Sequence, residues 1–206
     1  MTSTVPAPSA VPHGEGEPEV DLSGYLAVHR ALLADLAEAC AAVDRVAGAG
    51  GSRAAAQASA LTTYVRELCT VTRDHLDWED RLVWPIVAAS AGPAVDLSDL
   101  ADDHAELAPL LARTMATSAA LADDPGDAGR AAALAGALGE LRELLAEHVA
   151  DEERAVLPAI RQYVRAGDYR RVERAAFAAG SPEHRAWLDR HGLRAGLDID
   201  MDIDID

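Results

Sequence analysis

The chain has no lysine: all 18 of its basic residues are arginines, set against 35 acids, and the net charge is −17. No basic cluster interrupts that balance, so nucleic acid and anionic membrane surfaces, both polyanions, are excluded as partners. Aromatic residues make up only 4% of the sequence. Val, Ile, Thr, Tyr and Phe form no alternating run before the last few residues, which argues against a sheet. Two cysteines in 206 residues exclude a disulfide-stapled scaffold. No run approaches the roughly 18 apolar residues of a membrane span. The first twenty residues lack the cationic start and apolar stretch of a signal peptide, so a cytoplasmic, reducing setting is expected.

Half of the residues are hydrophobic, and alanine dominates. That composition predicts helices packed closely on one another. Residues 1–20, rich in Pro, Gly and Ser, read as a disordered arm. From Asp21 the apolar residues Leu22, Leu26, Leu33, Leu36, Cys40 and Val43 recur at helical spacing until GAGGS breaks the run at 48–52. A second long helix is expected from about residue 53 toward 87. A third begins near Leu100, with Asp96 or Ser98 as its cap. A fourth runs from about 128 to 164. The reading is all-α: an up-down-up-down four-helix bundle over 21–165 with a short C-terminal helical extension over 166–192. The last helix of the extension should open at Ser181-Pro182-Glu183, a cap residue followed by proline. The acidic end, 193–206, is expected to be a disordered tail.

Two stretches of this bundle repeat. His75-LDW-Glu79-Asp80-Arg81-LVW-Pro85 matches His148-VAD-Glu152-Glu153-Arg154-AVL-Pro158, and His29-RALLADL matches His104-AELAPLL. Each half therefore supplies a lone histidine and then His-x-x-x-Glu. On a helix, residues i and i+4 share a face about 6 Å apart, so His75 with Glu79, and His148 with Glu152, can grip one ion. Within each hairpin the two histidines lie at nearly equal residue counts from the link. The mismatch is only about 3–5 Å at 1.5 Å per residue. Four imidazoles and two carboxylates can thus converge at one height inside the bundle. Such a donor set suits Fe, Mn, Zn or Cu rather than Ca or Mg. A lone histidine on an apolar stripe is ordinarily a hydrogen-bonded core residue, and Glu four after His is ordinarily a solvated pair. The coincidence of residue type, face and level in all four helices favours the metal.

Around these six, Tyr25 lies one turn before His29 and Thr72 nearly one turn before His75, both candidates to support the ligands. Trp78 and Trp84 flank Glu79 and read as packing. Pro85 and Pro158 each remove a helical hydrogen bond and should kink or end their helices. Cys40 and Cys69 differ by about 7 Å in height at 1.5 Å per residue, which disfavours a disulfide. His13, His184 and His191 fall outside the repeat and are assigned no metal. On this reading His75→Ala lowers metal content and stability together, whereas His184→Ala changes neither.

These residues resemble the hemerythrin-like, or HHE cation-binding, family of non-haem di-iron bundles over roughly residues 21–165. The resemblance implies His29, His75, His104 and His148 as terminal iron ligands, with Glu79 and Glu152 as bridging carboxylates and two Fe per chain. Mn or Zn remain open. It further implies a small ligand (O2, NO or peroxide), with redox sensing through a protein partner on the C-terminal extension, or iron delivery and storage for iron–sulfur repair, as alternatives. A metal-free helical interaction module is the least favoured. Oxygen-carrying relatives place two histidines four apart on the third helix, but here the positions flanking His104 are Leu100 and Ala108. That points away from simple reversible O2 carriage, and any enzymatic turnover would be peroxide- or NO-directed. Those carriers also space the fourth-helix acid five after its histidine, selecting Glu153. The internal repeat and the i+4 geometry select Glu152.

Overall fold

The computed structural model describes residues 18–49 and 51–193. Four long helices form the body: α1 (Ser23–Ala47), α2 (Gly51–Trp78), α4 (Ser98–Asp123) and α5 (Ala128–Tyr163). α2 passes through a π-helical turn (Glu79–Val83) into α3 (Trp84–Ala91), and a short 3-10 turn (Gly92–Ala94) leads on toward α4. α1 packs on α2, α2 on α4, α4 on α5 and α5 back on α1, which closes a ring of four. α6 (Ala166–Ala179) and α7 (Pro182–Arg190) form the extension. No described helix is long and apolar enough to cross a membrane. The expected arm and tail lie almost wholly outside the described residues, but Val20, placed in the arm from sequence, is buried.

Local chemistry explains the boundaries. The Asp127 carboxylate accepts from the backbone N–H of Gly129 and Arg130, at 2.7 and 3.0 Å, and starts α5. Ser181 caps α7 by accepting from His184 N–H, with Pro182 at the first helical position, as the sequence predicts. At α4 the outcome differs. The cap position is Leu97, and Asp96 accepts from Ser98 N–H and Oγ in a local turn instead. Gly92, at φ 52 and ψ −130, ends α3 in a conformation that suits only glycine.

The two prolines of the repeat behave differently. Before Pro85 the helix widens, and Trp84 N–H donates to the Glu79 carbonyl five residues back. Pro158 is accommodated inside α5, which runs on to Tyr163. Cys40 and Cys69 are free thiols, and burial pushes Cys69 up to about 12.

Burial falls into two apolar clusters. One gathers Leu32, Leu36, Leu68, Leu76, Leu107, Leu141, Leu145 and Val149. The other gathers Leu22, Val83, Trp84, Leu100, Val156 and Ile160. α1, α4 and α5 contribute to both clusters, and α2 to the first with its continuation through the π turn and α3 to the second; the repeat residues His29, His75, Glu79, His104, His148 and Glu152 lie where one cluster gives way to the other. The bundle thus seals a polar layer between two dry ones.

Candidate metal centre

All six predicted residues meet in that layer. His29, His75 and His148 are 1% exposed, His104 is 7%, and Glu79 and Glu152 are fully buried. Glu79 is the hub. Its Oε1 lies 2.9 Å from His75 Nε2 and 3.8 Å from His29 Nε2; its Oε2 lies 3.4 Å from His104 Nε2 and 3.8 Å from His148 Nε2. Two trios of donors result, His29–His75–Glu79 and Glu79–His104–His148, and each has its ligand atoms within 4.8 Å of one another. The two glutamates are not equivalent, contrary to the symmetry of the repeat. Glu152 Oε1 accepts from Trp84 Nε1 at 3.0 Å and lies 2.7 Å from the Tyr25 hydroxyl, while Oε2 stands 3.4 Å from His29 Nε2.

The hydrogen-bond accounting of the cage does not close by itself. His29 Nε2, His75 Nε2, Glu79 Oε2 and Glu152 Oε2 are buried without a hydrogen-bond partner, although each lies near another of the set. Tyr25 Oη lies 2.6 Å from Glu79 Oε1 as well as 2.7 Å from Glu152 Oε1, and its one proton serves only one of them at a time. Buried acceptors crowded in this way need positive charge between them.

Protons partly supply it. Burial alone would lower the His29 pKa, but the carboxylates of Glu152 and Glu79 outweigh it and raise it to about 10. Burial would raise Glu79, yet His75 and the other rings hold it well below the usual carboxylate range. Burial and both carboxylates push Tyr25 well above 10, so it stays a neutral phenol.

Residues 22–160 match the family model of the hemerythrin HHE cation-binding domain. The chain belongs to that family. Neither the curated proteins nor the solved structures contain a match to it. HHE domains bind metal cations, and the clustered nitrogen and carboxylate donors of this one, four of them with no hydrogen-bond partner among the described residues, fit a cation.

An outer ring of carboxylates braces the HHE cage. His29 Nδ1 lies 3.0 Å from Glu153 Oε1, His104 Nδ1 3.1 Å from Asp80 Oδ1, and His148 Nδ1 3.3 Å from Asp103 Oδ2. With Nδ1–H donating outward, each Nε2 can turn its lone pair on a bound cation; without one, His104 Nε2 and His148 Nε2 share a hydrogen bond at 3.2 Å. Glu153 is therefore near the site but on the far edge of His29, while Glu152 occupies the cage. Sequence reasoning named none of these as braces. For Asp80 and Glu153 the signal was their place directly after a repeat glutamate, one step of about 100° round the helix toward the neighbouring rod; Asp103 directly precedes His104 and had no such signal.

For Trp84 the sequence favours packing, with electron hopping as the speculative reading. Trp84 stacks on His104, ring centroids 4.3 Å apart, and donates to Glu152. In an α-helix, residues five apart sit about 140° round from each other. The wider π turn brings Trp84 back toward the face of Glu79. Thr72 does not support His75: its hydroxyl donates to the Leu68 carbonyl at 2.9 Å, the usual bond of a mid-helix threonine.

Of the unassigned histidines, His13 lies outside the described residues, and His191 bonds the Trp187 carbonyl and Asp35. His184 is not remote. It lines the same cavity as His75, so the silence expected of His184→Ala from sequence does not follow. Burial, helped by His75, lowers His184 from 6.5 to about 4. Above pH 6.5 both folded and unfolded forms are neutral there. As pH falls below 6.5 the unfolded chain takes up a proton that the folded chain refuses down to about 4, so stability drops across that window. Between pH 7.5 and 5 the loss expected from this one group is about 2 kcal/mol. Urea unfolding at the two pH values checks it, with His184→Gln flattening the difference by that amount.

Proposed function

We propose that this HHE domain holds two iron ions and binds or reacts with O2, NO or peroxide. The observation that carries the reading is Glu79, whose two carboxylate oxygens each face a different pair of imidazoles. One ion would take His29, His75 and Glu79; the other Glu79, His104 and His148. Glu152 would add its free Oε2 on the His29 side. Three or four protein donors per ion leave positions for an exogenous ligand, and iron in such a site supplies electron-transfer chemistry at an open coordination position.

The remaining work belongs to the chain. The two apolar clusters exclude bulk water from the layer. Glu153, Asp80 and Asp103 orient three rings with Nε2 inward. Tyr25 holds a proton on Oη against two carboxylates, the one phenolic donor at the cage. Trp84 fixes Glu152 Oε1 and leaves Oε2 to turn inward. Free thiols at Cys40 and Cys69 accord with a reducing, cytoplasmic setting.

Elemental analysis of protein produced with iron is expected to give close to two Fe per chain. Less than about a third of an equivalent of any metal would overturn the reading, given affinities usual for such donor sets. Two equivalents of Zn or Mn instead would keep the cage and replace the iron. A visible absorption bleached by reductant and restored by air is expected of the iron form. Consumption of peroxide or NO at constant iron content marks reaction; transfer of iron to an apo iron–sulfur acceptor would reassign the domain to delivery.

A further inference from the structure

Three of the four cage imidazoles are braced from outside by a carboxylate, and His75 is not. Its Nε2 faces Glu79, while its Nδ1 is buried with no hydrogen-bond partner among the described residues. An imidazole that offers Nε2 to a cation carries its proton on Nδ1, and a buried donor left unsatisfied costs about 1–3 kcal/mol. Against His75 lies a cavity of about 30 Å3, walled by α1, α2 and the C-terminal extension. One water needs about 10–15 Å3. Most of the wall is apolar, including Val28, Phe177 and Leu188, but His184 of α7 and Glu173 of α6 also line it, as does Trp78, whose Nε1 has no partner among the described residues. His184 Nδ1 is likewise buried without a partner, 4.0 Å from Asp74 Oδ2. Two unsatisfied imidazoles therefore share a space of the right size for one small polar molecule.

The extension is pinned so as to keep them there. Asp74, the residue before His75, accepts from the Ser181 N–H at 3.1 Å. Trp187 Nε1 donates to Asp35 at 2.7 Å, and Arg190 reaches Glu67 at 2.9 Å. Gly180 makes room: a Cβ there would stand 3.2 Å from His184 Nδ1. We propose that the C-terminal extension supplies the missing brace of His75. A water in this cavity accepts the His75 Nδ1–H and donates to the His184 ring, and α7 thereby sets the tautomer and orientation of the fourth cage imidazole. His184 is a positioning residue, and its role rests on the reading of His75 as a cation ligand.

The full chain tests this in two ways. An experimental structure with ordered solvent is expected to show one water within about 3 Å of both rings; a dry cavity overturns the proposal, whatever the variants do. In Co2+ titrations, His184→Leu is expected to weaken binding tenfold or more, the usual effect of losing an outer partner. His184→Gln, which still bonds a water, stays within about threefold of the parent. Unchanged affinity in His184→Leu, or equal loss in both variants, overturns it. So does a tenfold loss in Glu173→Gln with none in His184→Leu, which would hand the role to the carboxylate in the same wall. His75→Ala separates the two levels of the argument. If it keeps both Co2+ ions the cage reading fails; if it loses them while His184→Leu binds normally, only the brace fails.

Discussion

Glu79→Gln is expected to strip the cage of both cations. Glu79 is the one carboxylate that faces all four imidazoles, at 2.9 to 3.8 Å. The amide removes the negative charge and, at one of its two positions, turns N–H donors toward ring nitrogens whose lone pairs are needed for the ions. Structural metal sites draw about 10–16 kcal/mol from four ligands, so one shared ligand is worth about 3 kcal/mol, or roughly a hundredfold at each ion. Metal content after desalting should fall below about a tenth of the parent's. Glu153→Gln, which touches only the outer edge of His29, is expected to keep both ions with at most a 10- to 100-fold weakening at one of them. Retention of two equivalents in Glu79→Gln would remove Glu79 from the centre.

Trp187→Ala is expected to cost the protein about 3–5 kcal/mol of unfolding free energy. Trp187 is fully buried, packs in the same cluster as the helices of the bundle, and bonds Asp35 across 152 residues of chain. Alanine leaves a large cavity at the seam between α7 and the bundle and strips Asp35 of its shortest partner. Arg190→Ala, on the exposed side of the same helix, removes only a surface ion pair with Glu67 and should cost less than about 1 kcal/mol. Urea unfolding followed by circular dichroism measures both. A Trp187→Ala loss as small as that of Arg190→Ala would mean that the extension contributes nothing to the core.

The convergence of the six side chains was legible because helical geometry is local. Spacing of four places His and Glu on one face, and short links force antiparallel neighbours to bring equal counts to equal heights. The bundle was legible for the same reason: an apolar stripe on each rod leaves few ways to bury them all. Residues off the stripe were harder to read. Asp80, Asp103 and Glu153 look like solvated charges in one dimension, since each reaches an imidazole on a different helix. The contacts of the extension were hard to read for the same reason. Trp187 and His184 stand far from the repeat along the chain, and only docking of α7 brings them to Asp35 and the cavity beside His75.

What the linear pattern determined by itself is the layer: four histidines and two glutamates at one depth between two apolar zones, because periodicity and link length are properties of the chain. What tertiary structure decided is the asymmetry within that layer. Two nearly identical motifs end differently, one through a π turn before Pro85 and the other through an unbroken helix past Pro158. With it goes a difference in the carboxylates: Glu79 is the hub of the imidazoles, and Trp84, at the end of the π turn, holds Glu152. Backbone conformation at a helical proline answers to the rods packed around it, and no stretch of ten residues contains that information.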